Sequence, residues 1–451
     1  MEEETPLTSN SPPNGKVTSP PPPPPPPPAE QPTPVAGVKR RRTGLPSQQV
    51  SFEAPYAPAS LEEKSNWQGF CEIESDPAIF NNLLRGLGVK GAKLQEIYSL
   101  DEDQLAFLPK PVFGLIFLFQ YSPELVSGEV EGKCPANIWF ANQVAENCCA
   151  TVALTNMVNN IPTMIDLGAP MRTLREHTML FTPAYRGDAI VNSRFIKTAH
   201  NLYARKIDMI NADALMEEKW SESRKKRRVG GKANSRKKKI PQGEDAFHFV
   251  AYMPIDGNIW ALDGLQNNPQ KFADVMTDDW IQEVAPLLTA RMADCADQSI
   301  EFNLLALLKD PYDDKRTELI QNLKFISSAE EKLNTIDSEW KSLIDISSDS
   351  SIPGTSPNHD ITKSDIEAAI LTPSFAETLA KADEVASLIE LRQQLIQEQL
   401  SIRGEVQDLV MSRKLEETKA LDRQNDYVPL AQRWFQMLAE NQVLRDVIES
   451  P

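Results

Sequence analysis

Gln143-Val-Ala-Glu-Asn-Cys-Cys149-Ala-Thr-Val-Ala-Leu-Thr-Asn-Met157 opens on an amide, sets two thiols side by side and then runs small and apolar. With no Gly or Pro to interrupt it, the run predicts a helix from about Cys149 to Asn159. A thiol at a helix N-terminus feels the positive end of the macrodipole, which favours the reactive thiolate. Gln143, six residues earlier, is able to donate its side-chain amide to an oxyanion. On residue types alone a buried structural cysteine explains the same pattern, and spacing alone leaves Cys148 and Cys149 equally open.

A thiolate nucleophile needs a base, and the chain has only four histidines, at 177, 200, 248 and 359. His248 lies in a first strand-like stretch, Phe247–Met253, and Asp263 ends a second, Asn258–Asp263. Pro254-Ile-Asp-Gly257 between them is a hairpin signal. If the two-residue loop is Ile255-Asp256, His248 and Asp263 lie directly opposite. If it is Asp256-Gly257, they are diagonal neighbours on one face. Either register brings imidazole and carboxylate within reach; a three-residue loop would separate them onto opposite faces. A carboxylate there orients the ring and stabilises its cation. His200, in Thr198-Ala-His-Asn201, reads as structural.

Further out, composition bounds the answer. The chain has 451 residues, 41% hydrophobic and 25% charged, enough for two or three domains. Its five cysteines show neither a disulfide framework nor a metal-knuckle spacing, so no metal or other cofactor is expected. The longest apolar run, Val112–Phe119, is too short for a membrane span and reads as a buried strand. The N-terminus lacks a secretory pattern. Net charge is −17, yet Arg224–Lys239 holds ten Lys/Arg and no acid, leaving −27 on the rest. That block reads as a solvated loop, a nuclear-import signal or a polyanion patch, which makes nucleus and/or cytoplasm the expected location.

Five segments follow. Residues 1–64, with nine consecutive prolines from Pro20 to Pro28, predict a disordered Pro-rich tail whose polyproline rod is a spacer or a ligand for an aromatic groove. Residues 65–309 carry mixed helix and strand signals, including a helix capped by Asp76-Pro77. Within them, 206–243 is expected to be a long polar loop. A helix over 310–346, a Ser/Pro linker over 347–363 and a helical region over 364–451 complete the chain. In the last, Val385, Leu388, Leu391, Leu395, Ile402, Val406 and Leu409 recur at helical spacing, predicting a long hairpin or coiled-coil arm.

Gln143-Val-Ala-Glu-Asn-Cys-Cys149-Ala-Thr resembles the nucleophile motif of the ubiquitin carboxyl-terminal hydrolases (UCH family), papain-like cysteine peptidases. Glu244-Asp-Ala-Phe-His248-Phe-Val-Ala-Tyr252 is similar to the family's histidine strand, and Leu262-Asp263-Gly264-Leu265 to its aspartate motif. Ile73-Glu-Ser-Asp-Pro77, Gly114-Leu-Ile-Phe-Leu-Phe119 and Phe302-Asn-Leu-Leu-Ala306 also match. The resemblance covers about residues 65–309. It implies an α+β papain-like fold with a helical C-terminal extension. It also implies a deubiquitinase with Cys149 as nucleophile, His248 as base then acid, Asp263 orienting His248, and Gln143 in the oxyanion hole. It puts residues 206–243 in the place of the family's crossover loop, under which the ubiquitin tail threads. A non-catalytic ubiquitin-binding scaffold of a nuclear complex and a hydrolase of another ubiquitin-like modifier are the rival functions. Arg423-Gln-Asn-Asp-Tyr427-Val-Pro429 and Phe435-Gln-Met-Leu-Ala-Glu440 resemble the extension of the larger, proteasome- or chromatin-associated members. That implies binding of a DEUBAD-type adaptor and a place in one of those complexes. The charged tail that follows this element in those relatives is missing after Pro451, which speaks against proteasome docking through such a tail.

Overall fold

The structure, a computed structural model, describes residues 55–120, 132–228, 247–275, 279–297, 301–344, 359, 361–441 and 443. The Pro-rich stretch before Pro55, most of the basic block and the Ser/Pro linker through Asn358 lie outside the described residues. Elements follow in the order α1 (Leu61–Asn66), α2 (Pro77–Gly86), β1 (Ala92–Glu96), α3 (Glu102–Ala106), β2 (Val112–Gln120) and α4 (Cys149–Val158). Next come α5 (Gly168–Thr178), α6 (Pro183–Asn192), α7 (Arg194–His200), α8 (Lys206–Arg228), β3 (Phe247–Ile255), β4 (Asn258–Asp263), β5 (Gln270–Asp274) and α9 (Trp280–Asp297). The C-terminal part holds β6 (Phe302–Lys309), α10 (Tyr312–Ile336), α11 (Lys363–Ala368), α12 (Pro373–Lys381), α13 (Val385–Asp422) and α14 (Val428–Glu440).

The six strands form one antiparallel sheet in the order β1-β6-β2-β3-β4-β5. β2 is central and apolar at every position but its last, because both of its faces are covered. Period-2 alternation then sorts its neighbours. Ile116, Leu118, Phe249, Ala251, Met253, Leu262, Leu305 and Leu307 face α2, α4 and the helices α5–α7. Leu115, Phe117, Phe119, Val250, Tyr252, Leu304 and Ala306 face α3 and α9. Gly114 lets α4 lie close to the sheet: a Cβ there would sit 2.5 Å from Met157 Cε and 2.9 Å from the Tyr252 carbonyl oxygen.

Two expectations are corrected. The tail does not reach residue 64: Ser60 caps α1 and accepts from Glu63 N at 3.2 Å, while Glu63 reaches back to Ser60 N. Ser60-Leu-Glu-Glu63 is a capping-box pattern that the proline-rich surroundings obscured. The polar loop expected from residue 206 is instead helical through Arg228. Its Ala, Leu, Met, Glu, Lys and Arg residues are good helix formers, and no Gly or Pro intervenes before Gly230. Polarity was a poor guide there.

The C-terminal stripe has an internal partner. α10 and α13 run antiparallel, with Leu319 and Leu323 near Ile402, Val406 and Val410, Ile326 near Leu395 and Ile396, and Leu333 near Leu388. The helix expected over 310–346 ends at Ile336 and is followed by a 3-10 turn, Trp340–Leu343. α13 continues past α10 onto α2. There Glu416 accepts from Asn81 Nδ2 and Arg85 at 3.0 and 2.9 Å, and Lys419 pairs with Asp76 at 2.6 Å.

Candidate active site

α4 is held on every side by polar groups that its sequence supplies. Asn156 accepts from Ala141 N at 2.7 Å and donates to the Ala141 carbonyl, fixing the segment that leads to Gln143. Gln143 N donates to the Gly264 carbonyl at 2.8 Å. A Cβ at Gly264 would meet Val152 Cγ1 at 2.9 Å and Gln143 Cβ at 3.3 Å, so the residue after Asp263 must be small for this approach. Before the helix, Asn147 adopts φ 59°, a left-handed conformation that Asn tolerates, and donates to the Phe70 carbonyl. One turn in, Thr151 Oγ1 meets His200 Nδ1 at 2.7 Å, and His200 Nε2 donates to the Cys71 carbonyl at 2.7 Å. Burial pushes the His200 pKa down to about 4, so the ring is neutral. His200 therefore braces α4.

The structure separates the two thiols. Cys148 is buried in the core, its Sγ 3.1 Å from the Ala145 carbonyl. Cys149 instead lines a cavity of about 540 Å³ with Gln143, Glu72, Glu74, Leu118, Phe249 and Arg423. α8 forms another wall through Asn211, Leu215 and Lys219, and Lys219 pairs with Glu146 at 2.7 Å. Burial, with smaller contributions from Cys148 and Glu72, pushes the Cys149 pKa up to about 12 against the pull of nearby backbone amides. The helix-terminal lowering expected from the sequence is thus outweighed: the group rests as a thiol.

The hairpin takes the second of the two expected registers. Val250 pairs with Asp263 and Ile255 with Asn258, with Asp256 (φ 48°) and Gly257 (φ 76°) in the loop. His248 and Asp263 are therefore diagonal neighbours, and His248 Nε2 lies 2.8 Å from Asp263 Oδ1. Burial raises the Asp263 pKa, but the imidazole, the Leu265 amide and Arg291 more than offset it and leave the carboxylate below its ordinary value. His248 stands edge-on to Phe119 at 5.7 Å, on the α9 face of the sheet. The β3 residues in the cavity wall are its neighbours Phe247 and Phe249. Among the described residues no hydrogen bond joins Cys149 to His248. The site thus comes in two halves, Cys149 with Gln143 and His248 with Asp263, at one end of β3 and β4. Sequence reasoning missed Arg291, which approaches Asp263 from α9, and the α8 wall. Both are products of tertiary packing without a local signal.

A family model described as ubiquitin carboxyl-terminal hydrolase, family 1, matches residues 70–293, spanning all four candidate residues. The chain is 32% identical over 271 residues to ubiquitin carboxyl-terminal hydrolase isozyme L5 of Dictyostelium discoideum, covering 60% of this chain and 71% of that protein. The chain belongs to the ubiquitin carboxyl-terminal hydrolase family. It is also 30% identical over 285 residues to ubiquitin carboxyl-terminal hydrolase BAP1 of Xenopus tropicalis, covering 59% of this chain and 38% of that protein. Among solved structures, the UCH37 catalytic domain of Trichinella spiralis bound to ubiquitin vinyl methyl ester aligns at 28% identity with a TM-score of 0.42, covering 56% of this chain and all of that one. This UCH enzyme, a cysteine-type deubiquitinase with the family's papain-like α+β fold, carries α10–α14 beyond the segment the family model matches.

Proposed function

We propose that the enzyme hydrolyses the bond at the C-terminal glycine of ubiquitin with Cys149 as nucleophile, His248 as base and acid, Asp263 orienting His248 and Gln143 in the oxyanion hole. The observation that carries the reading is the convergence of a helix-terminal thiol, a glutamine in the same cavity and a buried His–Asp pair at the same strand ends. With Nε2–H donating to Asp263, the basic nitrogen of His248 is Nδ1. Because Cys149 rests as a thiol, its proton must leave in the substrate complex. Catalytic contacts commonly tighten only in the substrate complex.

The Cys149 proton passes to His248 Nδ1 and the sulfur attacks the glycine carbonyl. The oxyanion is held by the Cys149 amide and Gln143. Collapse releases the amine, which takes the proton from His248 and leaves a thioester. Water, deprotonated by His248, then releases ubiquitin's carboxylate and restores the thiol. The C-terminal extension binds a DEUBAD-type adaptor through α14, whose Leu430, Trp434, Phe435 and Met437 are exposed.

Hydrolysis of a fluorogenic ubiquitin C-terminal amide tests the mechanism. Cys149→Ser and His248→Gln are each expected to lower kcat by at least about 1000-fold, while Cys148→Ala keeps wild-type turnover. Full activity in Cys149→Ser would overturn the assignment.

A further inference from the structure

α9 packs on the sheet face that carries His248 and Asp263, and its contact side is a stripe of Ile281, Val284, Leu288 and Cys295. Arg291, three residues after Leu288 and four before Cys295, falls in that stripe, where a half-buried cation needs partners. Its Nη1 donates to the Tyr252 hydroxyl at 2.8 Å. Its guanidinium lies 5.3 Å from the Phe119 ring centre and 6.0 Å from that of Phe117, within cation–π range. Phe119 is the ring that His248 meets edge-on. Arg291 and Asp263 also line one cavity of about 70 Å³, together with Tyr252, Gln266 and Gln270.

Asp263 Oδ1 takes two donors, His248 Nε2 at 2.8 Å and the Leu265 amide at 2.9 Å. Burial acts against its charge, while His248, the Leu265 amide and Arg291 together hold its pKa below the ordinary carboxylate value. The other titratable groups around the pair carry no charge. Burial pushes the Tyr252 pKa up to about 12 and raises that of Cys295, so phenol and thiol are neutral at physiological pH. β2 contributes Phe117 and Phe119, and Cys149 beyond the strand ends is itself a thiol. Arg291 is thus the cation that α9 brings to the pair. A guanidinium stays charged throughout the working pH range, and one held on a hydroxyl and two rings has little freedom left to lose.

We propose that Arg291 is a positioning residue for the hydrolysis: anchored by Tyr252 and Phe119, it steadies from α9 the carboxylate that orients His248. The inference rests on the hydrolase reading above, in which Asp263 acts through His248, so Arg291 acts one step further back. A positive charge lowers the pKa of the acids near it. Its removal therefore favours protonation of the coupled His248–Asp263 pair, and a pair that has gained a proton is less ready to take the one from Cys149. An Arg291 that merely tied α9 to the sheet would affect stability and leave the pH dependence of turnover where it is.

Hydrolysis of the fluorogenic ubiquitin amide by the full chain, followed against pH, tests it. In Arg291→Gln the acid limb of kcat/KM should move up by about one pH unit, the low end of the range for a nearby charge because this one is half-exposed. The variant is then about tenfold slower on that limb and within about twofold of the wild type on the plateau above it. Arg291→Lys, which keeps the charge, should restore the wild-type limb. Tyr252→Phe removes only the anchoring hydroxyl and should move the limb the same way by less; it carries the test if Arg291→Gln does not fold. A limb unmoved in the folded variants, or moved as far by Lys as by Gln, would overturn the proposal. A second measurement needs no turnover. The His248 ring-carbon NMR signal, assigned by its loss in His248→Gln, is titrated without substrate, and its midpoint should rise in Arg291→Gln. A wild type unable to cleave the ubiquitin amide would strike the hydrolase reading instead; the NMR midpoint would still judge Arg291, and an unchanged one would overturn its role.

Discussion

Cys149 and Cys148 are chemically identical neighbours with different surroundings. A helix advances about 100° per residue, so one sulfur enters the core beside the Ala145 carbonyl and the other enters the cavity with Gln143. Its surroundings in the cavity wall hold Cys149 as a thiol, its pKa pushed up to about 12 by burial. A raised thiol pKa means that the thiolate fraction is small at neutral pH and grows about tenfold per pH unit. Iodoacetamide should therefore alkylate Cys149 of the free enzyme slowly at pH 7, with a rate still climbing at pH 10, as read by peptide mass mapping. A rate already level by pH 7 would show a preformed thiolate and contradict the resting state described above. The pairing of His248 with Asp263 was legible in the sequence, because the spacing about the hairpin turn carries it. The resting protonation of Cys149 was not, since it depends on how fully Glu72, Leu118, Phe249 and α8 enclose the sulfur.

At the scale of elements, the hairpin shows what periodicity can settle. Phe247–Met253 and Asn258–Asp263 are apolar runs flanking a turn signal, and a two-residue loop left two registers, of which the structure takes one. α8 shows the opposite case: charge suggested a loop, while its propensity favoured the helix that forms. α14 has no buried residue, yet one face carries Leu430, Trp434 and Met437 at 47–67% exposure. Exposed aromatics of this kind are what a partner helix or groove covers. Replacing Leu430 and Trp434 together by Ser is expected to weaken capture of a DEUBAD-type adaptor domain at least tenfold in a binding titration. Helix content by circular dichroism should stay unchanged. Wild-type adaptor affinity in that variant would remove α14 from the interface.

Across the whole molecule, the C-terminal helices are attached to the catalytic domain at its working end. α13 lies along α2, and Arg423 at its end donates to the Glu72 carbonyl and pairs with Glu74 at 3.0 Å, while also lining the Cys149 cavity. An expected arm is thus part of the cavity wall. No local pattern announces this, because Arg423 and Glu72 are 351 residues apart and their meeting depends on the packing of α10, α13 and α2. The same cavity also receives α8, so three distant segments surround one sulfur. On the proposed mechanism, this sulfur is the one that meets ubiquitin's C-terminus. Its most direct test is reaction of the full chain with a ubiquitin C-terminal electrophile, followed by peptide mapping of the adduct. A single adduct at Cys149 is expected, formed by the wild type and Cys148→Ala and absent from Cys149→Ala. An adduct at Cys148, or one that persists in Cys149→Ala, would contradict it.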